Sequence, residues 1–237
     1  MKIKNLTAIS AALVATMASH APGAITVNDI IVIDIGKNDL GNETPGNWNN
    51  ISGSGSAQFG NAGTLISDLV RFSDGAGTGV SITVAAPSSG AVGIGGADVT
   101  SIGAGASFSE TGVIPDSAQI DVLFVNNSSV TLTFSGLDDS LTYSAEILSL
   151  FDGGRNAQDI SIGGVAQSVD PNEAPYVIAY NDLTTDGSGN LVVEFSSAGG
   201  GANLQHINAI QLIAIPEPSV CMLGSLALAG LLVRRRK

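Results

Sequence analysis

Val130-Thr131-Leu132-Thr133-Phe134 alternates apolar and hydroxyl-bearing side chains for five residues before the run ends at Ser135-Gly136. Successive side chains on a strand point to opposite faces, so this period-two pattern describes a strand with one face buried and one wet. Val80-Ser81-Ile82-Thr83-Val84 repeats it. Working outward, runs rich in β-branched residues and bounded by Gly, Asn, Asp and Ser clusters predict further strands at residues 25–35, 118–125, 141–150, 157–162, 191–195 and 206–213. Helical periodicity is confined to a turn or two near residues 65–70. Short strands separated by turn signals predict an all-β fold, an antiparallel β-sandwich or jelly roll, and not a parallel sheet with crossover helices. No internal repeat points to a solenoid or propeller. Residues 74–112, dense in Gly, Ala and Ser, are expected to hold one strand at their start and long loops after it.

Both ends read as short hydrophobic helices outside that fold. Lys2 and Lys4 precede a mostly small or apolar stretch over residues 6–17, the pattern of a secretory signal. Ser19 and Ala21 satisfy the small-x-small cleavage rule, but Pro22 would follow that bond; a cut after Ala24 is preferred. At the other end, Pro216-Glu217-Pro218 leads into an apolar run at residues 220–233 and then Arg234-Arg235-Arg236-Lys237. As a helix, a run of that length reaches roughly 21 Å, short of the ~30 Å hydrocarbon core. The basic cluster would stay on the cytoplasmic side and halt export with the body outside. An ordinary tail anchor is the rival role.

The triplet, short helix and arginine cluster, in that order, resemble the PEP-CTERM sorting signal. That resemblance implies export in a Gram-negative-type bacterium, transient anchoring in the inner membrane, and processing by an exosortase, commonly in a cell that makes exopolysaccharide. The residues carrying it are Pro216, Glu217, Pro218, Arg234, Arg235 and Arg236. The expected organisation is a signal peptide at 1–24, a β-sandwich domain at 25–214 and a sorting tail at 215–237.

Removing both tails leaves three cations, Lys37, Arg71 and Arg155, against twenty carboxylates, a formal charge of −17 for residues 25–214. Such a body repels phosphate backbones and excludes nucleic acid as a partner, while favouring solubility and divalent cations. The single cysteine, Cys221, lies in the tail, so the body has no disulfide and must rest on apolar burial and backbone pairing, with a bound ion as a possible addition.

Three pieces of the body carry a second resemblance. They are Val32-Ile33-Asp34-Ile35-Gly36 followed by Gly46-Asn47-Trp48-Asn49-Asn50-Ile51, then Leu132-Thr133-Phe134-Ser135-Gly136-Leu137 leading to Thr142-Tyr143, and finally His206-Ile207-Asn208-Ala209-Ile210-Gln211-Leu212. In that order they resemble exported bacterial jelly-roll domains of the galactose-binding-like kind. The resemblance implies a binding or adhesion module that takes sugars through loops at one end and often holds a structural Ca²⁺. The body departs from that pattern in its few aromatic residues, since stacking on sugar rings normally uses an aromatic platform.

Candidate chemistry divides as follows. His206, at the start of the last predicted strand, reads as a hydrogen-bonded packing residue. With no second histidine and no cysteine in the body, and no Gly-x-Ser-x-Gly elbow, zinc and serine hydrolases are disfavoured. Paired carboxylates for glycoside hydrolysis stay open, although Asp138-Asp139 reads as a turn. The glycine runs at 93–96 and 103–105 lack the context of a phosphate loop. Oxygen-rich loops at 38–43, 152–159 and 182–190 are either Ca²⁺ ligands or ordinary solvated loops. Trp48, between Asn47 and Asn49, either stacks on a sugar or plugs the core. Arg155 either pairs with Asp152 or contacts a ligand. The expectation is therefore an exported surface or matrix protein, non-catalytic, that binds carbohydrate or exopolysaccharide. Its candidate ligand residues are Asn47, Trp48, Asn49, Asp152 and Arg155. A polysaccharide-active enzyme and a purely structural matrix protein are the alternatives.

Overall fold

The computed structural model describes residues 24–37, 43–53, 64–85, 91–96, 105–126, 129–151, 157–197 and 204–216. The expected signal peptide apart from Ala24, and all but Pro216 of the named sorting residues, lie outside these, as do Asp152 and Arg155. The strands are β1 Ile30–Lys37, β2 Asn49–Gly53, β3 Thr64–Ile66, β4 Ser81–Ala85, β5 Ala91–Gly96, β6 Ser107–Phe108 and β7 Gly112–Val113, followed by a short helix, α1 Asp116–Ile120. After it come β8 Asp121–Asn126, β9 Val130–Ser135, β10 Leu141–Leu148, β11 Gln158–Ile162, β12 Val165–Val169, β13 Val177–Leu183, β14 Leu191–Ser197, β15 Leu204–Ile207 and β16 Ala209–Pro216. Among the described residues no helix is long and apolar enough to cross a membrane.

Two sheets face each other. One runs β13-β10-β16-β1-β2 and the other β12-β11-β14-β9-β4-β3. The chain crosses between them at β2–β3, β9–β10, β10–β11, β12–β13, β13–β14 and β14–β16, which makes the sandwich a jelly roll. Pairing is antiparallel except between β1 and β2. In β9, Val130, Leu132 and Phe134 are buried while Thr131 and Thr133 face the other way, as the alternation requires. Ile31, Ile33 and Ile35 of β1 join them in one core with Ile82, Ile147, Ile160, Phe195 and Leu212. Tyr180 ties the layers together, donating from its hydroxyl to the Ile160 carbonyl at 2.7 Å.

A third sheet, β15-β8-β5, adds Leu123 and Ile207 to that core. The predicted last strand is thus two: β15 pairs with β8, Asn208 breaks the run, and β16 enters the five-stranded sheet. The predicted strand at 118–125 likewise starts late, because Pro115 and Asp116 open a helical turn before β8 begins. The glycine-rich stretch contains a second long strand, β5, which pairs with β8 through Gly93, Gly95 and Gly96. Glycine's low strand propensity is overridden there by backbone pairing across a neighbour of Val and Leu residues. Near residues 65–70 the expected helical turn is absent; β3 and an isolated bridge from Val70 to Gly77 occupy it.

Register places the strand ends in two groups. At one end lie the turn from Gly136 to Ser140, the Gly163-Gly164 hairpin, the 184–190 connection, and both the start of β1 and the end of β16. At the opposite end β1, β2, β4, β10 and β14 finish, while β9, β11 and β13 begin. The chain therefore enters and leaves the sandwich at the first end, hereafter the turn end. The second is the loop-bearing end.

Candidate functional site

At the turn end, carboxylates close turns. Asp138 accepts from the Ser140 amide, Asp139 from the Gly189 amide at 2.8 Å, Asp74 from Ala76 and Asp68 from Gly79. Asp29 accepts from the Thr26 amide and meets Arg71 at 3.5 Å. Asp186 accepts from the amides of Ser188 and Asn190 and from the Asn190 side chain; these hydrogen bonds hold its carboxyl below its ordinary pKa. Tyr143 completes this end: its hydroxyl accepts from the Asp138 amide at 2.9 Å and donates to the Asp138 carbonyl at 3.0 Å. Burial pushes its pKa up to about 12. Gly136 adopts φ +84°, and a side chain there would stand 2.7 Å from the Gly79 carbonyl oxygen. The Gly-Leu turn and the following Tyr, legible as a motif, thus form one locked corner. Within residues 182–190, Asp186 is used inside this corner. Among the described residues, no three His, Cys, Asp or Glu side chains gather where they could hold a metal ion.

Trp48 lies on the outer face of the five-stranded sheet with Val32, while Asn49, paired with the core residue Ile33, turns to the other side of β2. Trp48 is 8% exposed and stacks on Phe108, with ring centroids 6.5 Å apart. The ring belongs to a second apolar cluster with Val32, Ile114, Ala118, Leu148 and Ala209, under the β6–β7 hairpin and α1. Trp48 is thus packed in a cluster separate from the sandwich core. Asn49 donates to the carbonyls of Val32 and Val70 at 3.0 Å each and accepts from the Val70 amide at 2.7 Å, while Asn47 donates to the Phe72 carbonyl at 2.9 Å. Both amides hold backbone of the 70–72 segment against the sheet. The hairpin is fixed by polar side chains too: Glu146 accepts from the Ser109 amide and from Gln211, which in turn accepts from Thr111.

Beneath the loop-bearing end runs a buried polar layer. Gln158 donates to the Ser149 hydroxyl at 2.7 Å and accepts from the His206 amide at 2.7 Å; Ser149 donates to the His206 carbonyl. Asn208, at the strand break, accepts from the Leu150 amide at 2.7 Å and donates to the Gln119 carbonyl at 3.0 Å. These bonds join β10, β11, β15, β16 and α1 into one floor. To one side Asp34, fully buried, accepts from the Thr44 amide, and Thr44 contacts Ser117 at 2.6 Å. Satisfied buried networks of this kind rigidify what they connect.

His206 is buried, as expected of a packing residue, with its ring centroid 5.0 Å from that of Phe151. On this floor sit two half-buried aromatic residues, Phe151 and Tyr176. The two stretches are stitched together by the Phe151 amide donating to Pro171 and the Ser149 amide donating to Tyr176. Neither ring was among the residues singled out from sequence. Tyr176 follows a Pro-rich turn with no strand alternation around it, and Phe151 directly precedes Asp152, so proximity to that loop was the available signal. Phe151 and Tyr176 pack against the same apolar cluster that holds Trp48 beneath the hairpin.

No protein-family model and no curated protein matches this sequence. Among solved structures, the chain is similar to the plant receptor-like kinase FER, with a TM-score of 0.41 and 12% identity over 81% of this chain and 43% of that one. It is similar to the ANX2 ectodomain of Arabidopsis thaliana, with a TM-score of 0.37 and 14% identity over 53% of this chain and 40% of that one. It thus spans less than half the length of either plant protein. A third is TmCBM61, solved in complex with β-1,4-galactotriose, with a TM-score of 0.32 and 14% identity over 56% of this chain and 88% of that one.

Proposed function

We propose that this chain is an exported, non-catalytic binding module that engages extracellular polysaccharide through the loop-bearing end of its jelly roll. The observation that carries this is the division of labour between the two ends. At the turn end six Asp side chains accept from backbone amides within their own corner, which commits them to holding the turns. At the other end a rigid polar floor underlies Phe151 and Tyr176, whose amphipathic rings suit the apolar faces of sugars. Asp152 and Arg155, in the connection that follows Phe151, supply the polar complement to sugar hydroxyls.

Sorting fits the same polarity. β16 ends at Pro216, paired with Leu141 at the turn end, so a Pro-Glu-Pro tail leaves the body on the side away from the proposed binding end. Held by that tail in the inner membrane, the body presents its loop-bearing end outward until an exosortase releases it to the cell surface or matrix. With a charge of −17 on the body, neutral glycans, or acidic ones bridged by Ca²⁺, are the matching ligands. The test is retention of polysaccharides on the immobilised protein, with Ca²⁺ and with chelator, alongside a reducing-end assay. Retention without new reducing ends is expected. Release of new reducing ends would establish the paired-carboxylate enzyme instead, and no retention of any glycan would leave the structural matrix protein.

A further inference from the structure

The turn by which the chain enters the sandwich is held through both its backbone and its side chains. Ile25 is 1% exposed and belongs to the main core. Thr26 donates to Asp29 Oδ2 from its amide at 2.6 Å and from its hydroxyl at 2.9 Å, and the Asp29 amide donates back to the Thr26 carbonyl at 3.0 Å. Asn28 occupies the left-handed region at φ 68° and donates from its amide to the Ala214 carbonyl at 2.8 Å. The Ala214 amide donates to the Asp29 carbonyl at 3.0 Å. The turn is thus fixed on β16 from Ile25 onward, whereas Ala24 is half-buried.

Charge at this corner is unbalanced. Arg71 lies 3.5 Å from Asp29 and 3.4 Å from Asp74, one guanidinium against two carboxylates, and Asp29 is largely buried. A carboxylate drawn out of water needs a counter-charge, and the body has three cationic side chains for twenty acids. The expected cut after Ala24 supplies one by turning the Ile25 nitrogen from an amide into an α-ammonium. Successive backbone nitrogens lie at most about 3.7 Å apart. With the Thr26 nitrogen 2.6 Å from Asp29 Oδ2, the new charge falls within about 6 Å of that oxygen, a range in which opposite charges stabilise one another. The buried Ile25 side chain already anchors it, so little further chain ordering is needed. A cut after Ala21 would instead leave Pro22, Gly23 and Ala24 in between, up to about 10 Å of chain. We infer that the Asp29 corner is a docking site for the α-ammonium of Ile25, created when the leader is removed, so that the processed body is more stable than its precursor. The inference rests on the leader reading and is independent of polysaccharide binding.

The test starts from the full chain as the cell exports and processes it. N-terminal sequencing of that product is expected to read Ile25-Thr26-Val27. Cyanate at neutral pH carbamylates the α-amine ahead of the lysines and removes its charge. That treatment is expected to lower the melting temperature by about 2–4 °C, the shift one partly buried ion pair gives a domain of this size. Reductive methylation keeps the charge and is expected to leave the melting temperature unchanged. In Asp29→Asn, whose side-chain oxygen can still accept from Thr26, carbamylation is expected to have no effect. A first residue other than Ile25 would overturn the inference at the cut. With Ile25 first, no fall on carbamylation, an equal fall on methylation, or an equal fall in Asp29→Asn would each overturn the docking itself.

Discussion

Replacing Trp48 by alanine probes whether the ring is a structural plug. The indole is 8% exposed, stacked on Phe108 and enclosed by Val32, Leu148 and Ala209. Truncating a buried Trp or Phe to Ala costs about 3–5 kcal/mol, from lost transfer energy plus the cavity left behind. For a domain of this size each kcal/mol moves the melting temperature by about 2–4 °C, so a fall of about 6–20 °C is expected. Urea unfolding followed by far-ultraviolet circular dichroism measures it. Trp48→Phe, which keeps a ring against Phe108, is expected to cost less than half as much. Because Trp48 is the only tryptophan, wild-type fluorescence reports this position alone. Its emission is expected to be blue-shifted, resistant to iodide, and unchanged by polysaccharide. A stability loss below about 1 kcal/mol, a red-shifted emission open to iodide, or quenching by sugar would refute the packing argument, since surface substitutions stay within about 0.5 kcal/mol.

Other outcomes follow from the same geometry. Gly136→Ala forces a side chain into the left-handed region and against the Gly79 carbonyl, and is expected to lower stability by about 1–3 kcal/mol in denaturant titration. Tyr143 has its pKa raised by burial to about 12, so its contribution is fully present below pH 10 and is lost as pH rises from there through 12, because the unfolded chain ionises first. Over that window the slope is about 1.4 kcal/mol per pH unit for each such group; Tyr180, also raised by burial, adds to it, and Tyr143→Phe is expected to flatten the curve in alkaline urea titrations. Tyr176→Ala is expected to weaken polysaccharide retention about two- to tenfold, the range of a single aromatic contact, with a smaller fall in melting temperature than Trp48→Ala because the ring is only half-buried.

The fold class was legible because alternation in β4 and β9 reports burial directly, and the core residues follow from it. Strands with irregular patterns were not: β12 and β13 hold exposed and buried positions in mixed order, and β5 is half glycine. They exist because neighbours pair with them, information that lies elsewhere in the chain. The break at Asn208 was hidden for the same reason, since its side chain replaces ladder bonds between segments far apart in sequence. Around the candidate site, Trp48 attracted attention as the rarest residue type, but rarity does not separate a plug from a platform. Phe151 and Tyr176 become a pair only through the contact of two loops. Asn47 and Asn49 illustrate the converse, since amides that suit sugar hydroxyls suit backbone groups equally well.

Mapping the ligand contacts by nuclear magnetic resonance tests the central claim most directly. Isotope-labelled protein titrated with oligosaccharides of a retained polysaccharide is expected to show amide shifts clustered at Leu150, Phe151, Ala157 and Tyr176, with Ser140, Ser188 and Gly189 unmoved. Shifts concentrated at those turn-end residues, or spread evenly over the sandwich, would contradict it.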